Sequence, residues 1–154
     1  MASPGKNAAA WTLDQSLGFS LNKVGRAMRR ALDTKLIQHN ITVTQYIVLT
    51  RLWEEEGISL SVLGERMHMD NPTLTGIIDR MERDEILQRR RDGEDRRMVK
   101  VFLLDRGKKL HEEIGTLAEQ TDAGAWEGFS PAEKRQLVRM LNRIWNNIHG
   151  EATD

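Results

Sequence analysis

The chain has no cysteine. Disulfides, thiol nucleophiles, thiolate zinc sites and cysteine-based oxidant sensing are therefore excluded. No apolar run approaches the roughly 20 residues a membrane-spanning helix needs. Residues 1–10 are small and polar and lack the apolar centre of a signal peptide, so a cytoplasmic protein is expected. There is no Gly-rich phosphate loop, since Gly76 and Gly107 stand isolated, and no serine sits in a nucleophile-elbow pattern. His39, His68, His111 and His149 form no pair at metal-ligand spacing; His111-Glu112-Glu113 lacks the second histidine of a zinc-protease helix. Glu54 to Glu56, like Glu112 and Glu113, read as solvated helix faces. No enzyme, metal or other cofactor is expected.

Net charge is absent too: 23 basic residues balance 23 acidic ones. The two signs are segregated, however. Residues 88–109 carry nine Lys and Arg against four acids, and residues 110–154 carry four against eight. Only the face near a polyanion must be positive, so segregation of this kind suits phosphate binding. It equally suits a solvated hairpin beside an acidic helical arm.

A chain of 154 residues fits one domain, or one such unit with an oligomerisation arm. Residues 1–11 look disordered. Thr12 and Gln15 form a capping-box pattern, and Leu17, Leu21, Val24, Met28, Leu32 and Leu36 then recur at three- to four-residue steps. One long amphipathic helix is predicted, reaching about Gln38. Thr42 and Gln45 repeat the capping signature for a second helix, ended by Gly57. Ser59 can cap a third, with Leu60, Leu63 and Met67 facing inward. Asp70 or Asn71 can cap a fourth, with Pro72 in its first turn, where proline loses nothing. Leu74, Ile77, Ile78 and Met81 make that helix's buried face and leave Thr73, Thr75, Gly76, Asp79, Arg80 and Arg83 outside.

Strands are predicted at 87–91 and 97–103, around the turn-forming run Asp92-Gly93-Glu94-Asp95. A long helix should start near Asp105, with Leu110, Ile114, Leu117 and Thr121 on one stripe. Ser130-Pro131-Ala132-Glu133 starts a last helix carrying Leu137, Met140, Leu141, Ile144, Trp145 and Ile148.

The expected fold is mainly α (α+β): a winged helix-turn-helix at 41–104, with terminal helices at 12–40 and 105–150 forming a dimerisation arm. The apolar stripes of those terminal helices must bury against something, and a twofold homodimer is the economical answer. A helix-turn-helix followed by a basic hairpin points to double-stranded DNA. Short polar side chains early in the recognition helix approach base edges without conflict, which makes Asn71, Thr73 and Thr75, beside Gly76, candidates for base contact. Arg80 and Arg83 can reach flanking phosphates or a guanine; the alternative is an ion pair with Asp79 or Glu82. Ser59, Ser61 and Arg66 are candidates for phosphate. Strand side chains alternate, so Arg90 should face opposite to Arg89 and Arg91, and all three cannot meet DNA.

Four stretches together resemble the MarR family of winged-helix transcription regulators, over about 13–148. Ile41-Thr-Val-Thr-Gln-Tyr-Ile-Val-Leu is similar to the family's Leu-Thr-x-x-Gln-aromatic-x-x-Leu segment. Residues 60–81 resemble its reading head, and Asp92-Gly-Glu-Asp-Arg-Arg its wing-tip Asp-x-x-Asp-x-Arg pattern. Leu103-Leu-Asp-Arg-Gly resembles the Leu-Thr-x-x-Gly segment that opens the next helix. Two departures stand out. Glu85 replaces a usual glycine, at a cost of about 1 kcal/mol or more if its backbone is left-handed. Leu104 replaces a usual Thr cap, with Asp105 as the expected substitute.

The resemblance implies that Arg97 enters the minor groove with Asp95 holding it in place, while Arg96 and the Arg89-Arg90-Arg91 run, Arg90 above all, add phosphate contacts. It also implies a repressor released by a small effector, often an aromatic carboxylate, bound between arm and winged helix. Candidate lining residues are Phe19, Met28, Tyr46, Trp53 and Leu110, with Arg26 or His39 as anion partner; residues of these types at helical spacing are first of all packing residues. The rival readings are a winged-helix protein-interaction module, a metal-responsive regulator and, last, an enzyme.

Overall fold

Caps set where the helices begin. The structure, a computed structural model, describes residues 12–150; the expected disordered segment 1–11 lies outside them. Thr12 and Gln15 do pair, the Thr12 amide donating to Gln15 Oε1 at 3.2 Å. They close only a single 3-10 turn, Leu13–Gln15. The long helix α1 (Leu17–Leu36) starts one step later, where the Ser16 hydroxyl accepts from the Phe19 amide. Helix α2 (Val43–Glu54) begins at the expected capping box: Gln45 Oε1 accepts from the Thr42 amide at 2.9 Å and Thr42 Oγ1 from the Gln45 amide at 3.2 Å.

Helix α2 stops at Glu54, before Gly57. Gly57, at φ 75°, instead turns the chain into a short strand the sequence pattern did not suggest, β1 (Ile58–Ser59). A Cβ at Gly57 would lie 2.9 Å from the Phe102 ring, so the turn needs glycine for space as well as for its dihedral. Helix α3 (Leu60–Met67) and helix α4 (Asn71–Arg83) follow, then strands β2 (Leu87–Arg91) and β3 (Val99–Leu103). The sheet is antiparallel in the order β1-β3-β2, with Ile58 opposite Val101 and Leu87 opposite Leu103. Its inner face joins the helices in one core that includes Leu36, Tyr46, Leu49, Leu63, Leu74, Ile78, Met81, Leu87 and Val101, all buried.

Leu104 is the cap position of helix α5 (Asp105–Ile114) and no side chain caps it; Asp105 is already the first helical residue. The single long helix expected from Asp105 is broken. It stops at Ile114 and resumes as α6 (Leu117–Ala125). The buried Tyr46 hydroxyl occupies the break, donating to the Gly115 carbonyl and accepting from the Ala118 amide, both at 3.2 Å. It thus serves backbone groups that an unbroken helix would serve itself.

Two compact units result, one up to Ala118 and one from Glu119 onward. Within the second, α7 (Pro131–His149) starts at the expected signal: the Ser130 amide donates to Glu133 Oε2 at 2.8 Å, and Ser130 Oγ accepts from the Glu133 amide.

Candidate nucleic-acid interface

Helix α4 is held at both ends. Asp70, rather than Asn71, caps it: Oδ1 accepts from the Thr73 amide at 2.8 Å and Oδ2 from the Thr73 hydroxyl at 2.8 Å. These bonds hold the Asp70 carboxyl below its usual range. They also use the Thr73 hydroxyl proton, so its methyl and the hydroxyl's acceptor oxygen are what remain to offer a base. At the other end, Glu85 has φ 57°, and the Ile86 amide reaches back to the Met81 carbonyl at 2.9 Å. The left-handed turn that a glycine would ease is therefore present with a glutamate in it. Arg106 Nη1 donates to the Asp84 carbonyl at 2.6 Å, and the Leu104 amide to the Ile86 carbonyl at 3.0 Å. Helix α5 thus pins the helix C-terminus from outside.

Leu74, Ile77, Ile78 and Met81 are buried as expected. Asn71, Thr75, Arg80 and Arg83 are exposed, and Gly76 is half-buried. Neither arginine pairs with Asp79 or Glu82. Arg80 Nε donates to the Gly76 carbonyl at 3.0 Å. Arg83 has no polar partner among the described residues. On α3, Ser61 is exposed, while Arg66 pairs with Glu55 at 2.7 Å. Ser59 is a correction. It is 8% exposed, and its hydroxyl accepts from the Val62 amide at 3.3 Å and meets Ser61 Oγ at 3.1 Å, so it serves as a cap rather than a surface contact.

Strand β3 begins at Val99, so Asp95, Arg96 and Arg97 lie in the wing loop and not on a strand edge. Asp92 builds that loop. Its Oδ1 accepts from the Glu94 amide at 2.8 Å and the Asp95 amide at 3.0 Å, and its Oδ2 pairs with Lys100. Lys100 and these amides together lower the Asp92 carboxyl to about 2. Asp95 Oδ1 accepts from the Arg97 amide at 3.0 Å, a bond to the backbone and not to the guanidinium. Among the described residues the Arg97 and Arg96 guanidiniums have no partner, and both are exposed.

The three-arginine run divides as strand alternation requires. Arg90 lies over the Phe102 ring, 5.2 Å from its centroid. Arg89 points the other way, onto α4. Its Nε and Nη2 donate to Glu82 Oε2 at 3.0 and 2.8 Å, its amide to Glu82 Oε1 at 2.9 Å, and Nη2 also meets Asp79 Oδ1 at 2.6 Å. The sequence reading missed this clamp. Two acids three apart on a helix, facing the first strand after it, were the available signal.

The MarR family model matches residues 41–99. The HTH-type transcriptional regulator TtmR of Methylorubrum extorquens is 35% identical over 141 residues, spanning 92% of this chain and 71% of that protein. The chain belongs to the MarR family. The organic hydroperoxide resistance transcriptional regulator of Bacillus subtilis is 36% identical over 100 residues, covering 65% of this chain and 68% of that one. Among solved structures, Bordetella bronchiseptica BpsR, whose DNA binding is regulated by 6-hydroxynicotinic acid, superposes with a TM-score of 0.82. It is 25% identical and covers 90% of this chain and 99% of that one. MarR relatives are transcriptional regulators.

Of the effector candidates in this MarR chain, Tyr46 and Trp53 come together, their rings edge to face with centroids 6.0 Å apart. Tyr46 and Leu110 are buried in the core, and Trp53 Nε1 donates to the Gly107 carbonyl at 3.0 Å while its ring stacks on His111. His39 faces Glu113 at 3.5 Å. Phe19 and Met28 are half-buried on α1, and Arg26 is exposed. A cleft of about 390 Å³ lies elsewhere, between α1, the start of α2 and the recognition helix. Arg29, Thr44, Gln45, Thr73, Ile77 and Arg80 line it, and Arg29 Nη2 donates to Thr44 Oγ1 at 3.1 Å. Among the described residues no three His, Asp or Glu side chains gather as a metal site, and no helix is long and apolar enough to cross a membrane.

Proposed function

We propose that this protein reads double-stranded DNA as a homodimeric repressor on a pseudo-palindromic operator and is released by a small aromatic anion. One observation carries the reading: Arg83 on the recognition helix and Arg96 and Arg97 on the wing tip are exposed cations without a protein partner among the described residues. Cations left open beside a polar helix face are what phosphate and base contacts require. The recognition helix enters the major groove with Asn71, Thr75 and Arg80 toward the bases, and Arg97 enters the adjacent minor groove.

The dimer rests on apolar faces left uncovered in a single chain. Leu17, Leu21 and Val24 on α1 and Leu137, Met140, Leu141 and Ile148 on α7 are all exposed. Helices so patterned are stable when a second copy covers them, which assigns 12–40 and 105–150 to the dimer arm. Twofold symmetry then sets half-site centres roughly 10 base pairs apart. The effector is assigned to the cleft between Arg29 and Arg80, whose two guanidiniums and Thr44 hydroxyl suit a carboxylate on a flat ring. The response of BpsR to an aromatic hydroxy acid supports that chemical class.

The test is a genomic pull-down with the purified protein, sequencing the retained fragments, alongside sedimentation to count subunits. A symmetric motif with half-sites one helical turn apart supports the reading. No enrichment at low salt would move the wing to a protein-binding role.

A further inference from the structure

Between wing and recognition helix, Arg89 is the one residue whose guanidinium bridges two acids of α4, among the described residues. It is well placed for this by the register of the sheet. Leu87 is buried, and strand alternation puts Arg89 on the same face, toward the helix. Four polar contacts then converge: amide, Nε and Nη2 on Glu82, and Nη2 again on Asp79. The Arg89 and Glu82 side chains are each about a third exposed, so solvent and salt screen the pair less than a fully exposed one. The bonds from Arg89 hold the Glu82 carboxyl below its usual range, and those from Glu82 and Asp79 hold the guanidinium above its own.

We infer that Arg89 is a positioning residue which, with Asp79 and Glu82, locks the base of the wing to the recognition helix so that both reach DNA as one rigid reader. It is not itself a phosphate contact. This inference rests on the DNA-reading proposal above. Two effects follow from the clamp. The wing-tip arginines stand at a fixed offset from Thr75 and Arg80, because the hairpin cannot swing about the Glu85 turn. Two carboxylates on the DNA-facing helix are also neutralised, and they would otherwise repel phosphate. Arg80 and Arg83 do not take that second task, since neither pairs with Asp79 or Glu82, and so both remain open for DNA.

The clamp and a phosphate contact differ in the sign of one variant. Glu82→Gln removes a negative charge from a DNA-facing helix, which by electrostatics alone tightens binding. If Glu82 anchors the wing, the same change weakens it. Fluorescence anisotropy on an enriched operator fragment, at several salt concentrations, is measured for wild type, Glu82→Gln, Arg89→Gln and the double variant. Each single variant is expected to lose about tenfold in affinity and the double no more than the worse single, as for coupled neighbours. Tighter or equal binding by Glu82→Gln, with Arg89→Gln lowering the salt slope by about one, would make Arg89 a phosphate ligand and overturn the clamp.

A second readout needs no DNA. Amide hydrogen exchange at 92–98 should quicken in Arg89→Gln and, more mildly, in Asp79→Asn, while exchange in the α2 core stays as in wild type. Unchanged wing exchange overturns the clamp whatever the DNA result. Wild-type protein that fails to bind DNA at low salt overturns the DNA-reading proposal instead, and with it the clamp's role in reading.

Discussion

Gly107 lies against the backbone of Ile86: a Cβ on Gly107 would come within 2.3 Å of the Ile86 carbonyl oxygen and 2.9 Å of Leu103 Cδ2. That approach lets α5 brace the turn between recognition helix and wing, where the Leu104 amide and the Arg106 guanidinium also bind. Gly107→Ala must push the two elements apart. The expected loss of stability is about 2–3 kcal/mol, as for other overpacked positions, read by urea denaturation. An alanine variant as stable as wild type would mean the brace is not tight.

The Glu85 turn predicts the opposite sign. Its φ of 57° costs a residue with a Cβ about 1 kcal/mol, and its side chain makes no polar contact among the described residues. Glu85→Gly should stabilise the protein by somewhat less than that, roughly 0.5 kcal/mol, because glycine also loosens the unfolded chain. A lower denaturation midpoint would show that the Glu85 side chain contributes something the turn geometry does not account for.

Leu104 offers a second gain. It sits at a helix N-cap with extended dihedrals and caps nothing. Leu104→Thr supplies a hydroxyl to the first turn of α5 and should add about 0.5–1 kcal/mol, the loss of half-buried apolar surface being smaller. Equal or reduced stability would mean that the apolar contact outweighs the cap.

The wing tip should withstand acid. Asp92 titrates at about 2 in the folded protein, against 3.8 ordinarily, because Lys100 and two loop amides favour its charged form. A depressed carboxyl contributes stability above its ordinary value and loses it as pH falls from about 3.8 toward 2. Carboxyl NMR should therefore place the Asp92 midpoint near 2, and Asp92→Asn should quicken amide exchange at Glu94 and Asp95 at neutral pH. A midpoint near 4 would dissolve the assigned loop.

Arg97→Ala and Arg96→Ala separate two kinds of contact. Loss of Arg97 should weaken binding most at A·T-flanked operators, where the minor groove is narrow and electronegative. Loss of Arg96 should weaken all sequences alike and lower the salt slope by about one. Identical behaviour of the two variants would remove the minor-groove assignment from Arg97.

What could be read from the sequence was local. Thr42 with Gln45, Asp70 before Pro72, and Ser130-Pro131 with Glu133 each mark a helix start within four residues, and each cap forms. The apolar stripe of α4 is legible for the same reason: period alone decides which side chains are buried. The Asp92-to-Asp95 turn and the alternation of Arg89 and Arg90 follow from turn chemistry and strand pleat. So does the wing itself.

Tertiary contact decided the rest. A two-residue strand such as β1 has no period to detect and exists only because β3 supplies partners for Ile58 and Ser59. The helix from Asp105 breaks because a tyrosine 69 residues earlier in the chain delivers its hydroxyl to Gly115. Ser59 left the candidate surface once packing buried it. The Arg29–Arg80 cleft joins three helices that no spacing rule relates. Hydrophobic period and capping act within a few residues and are written in the chain, whereas the break, the clamp and the cleft depend on which distant groups the fold brings within hydrogen-bond reach.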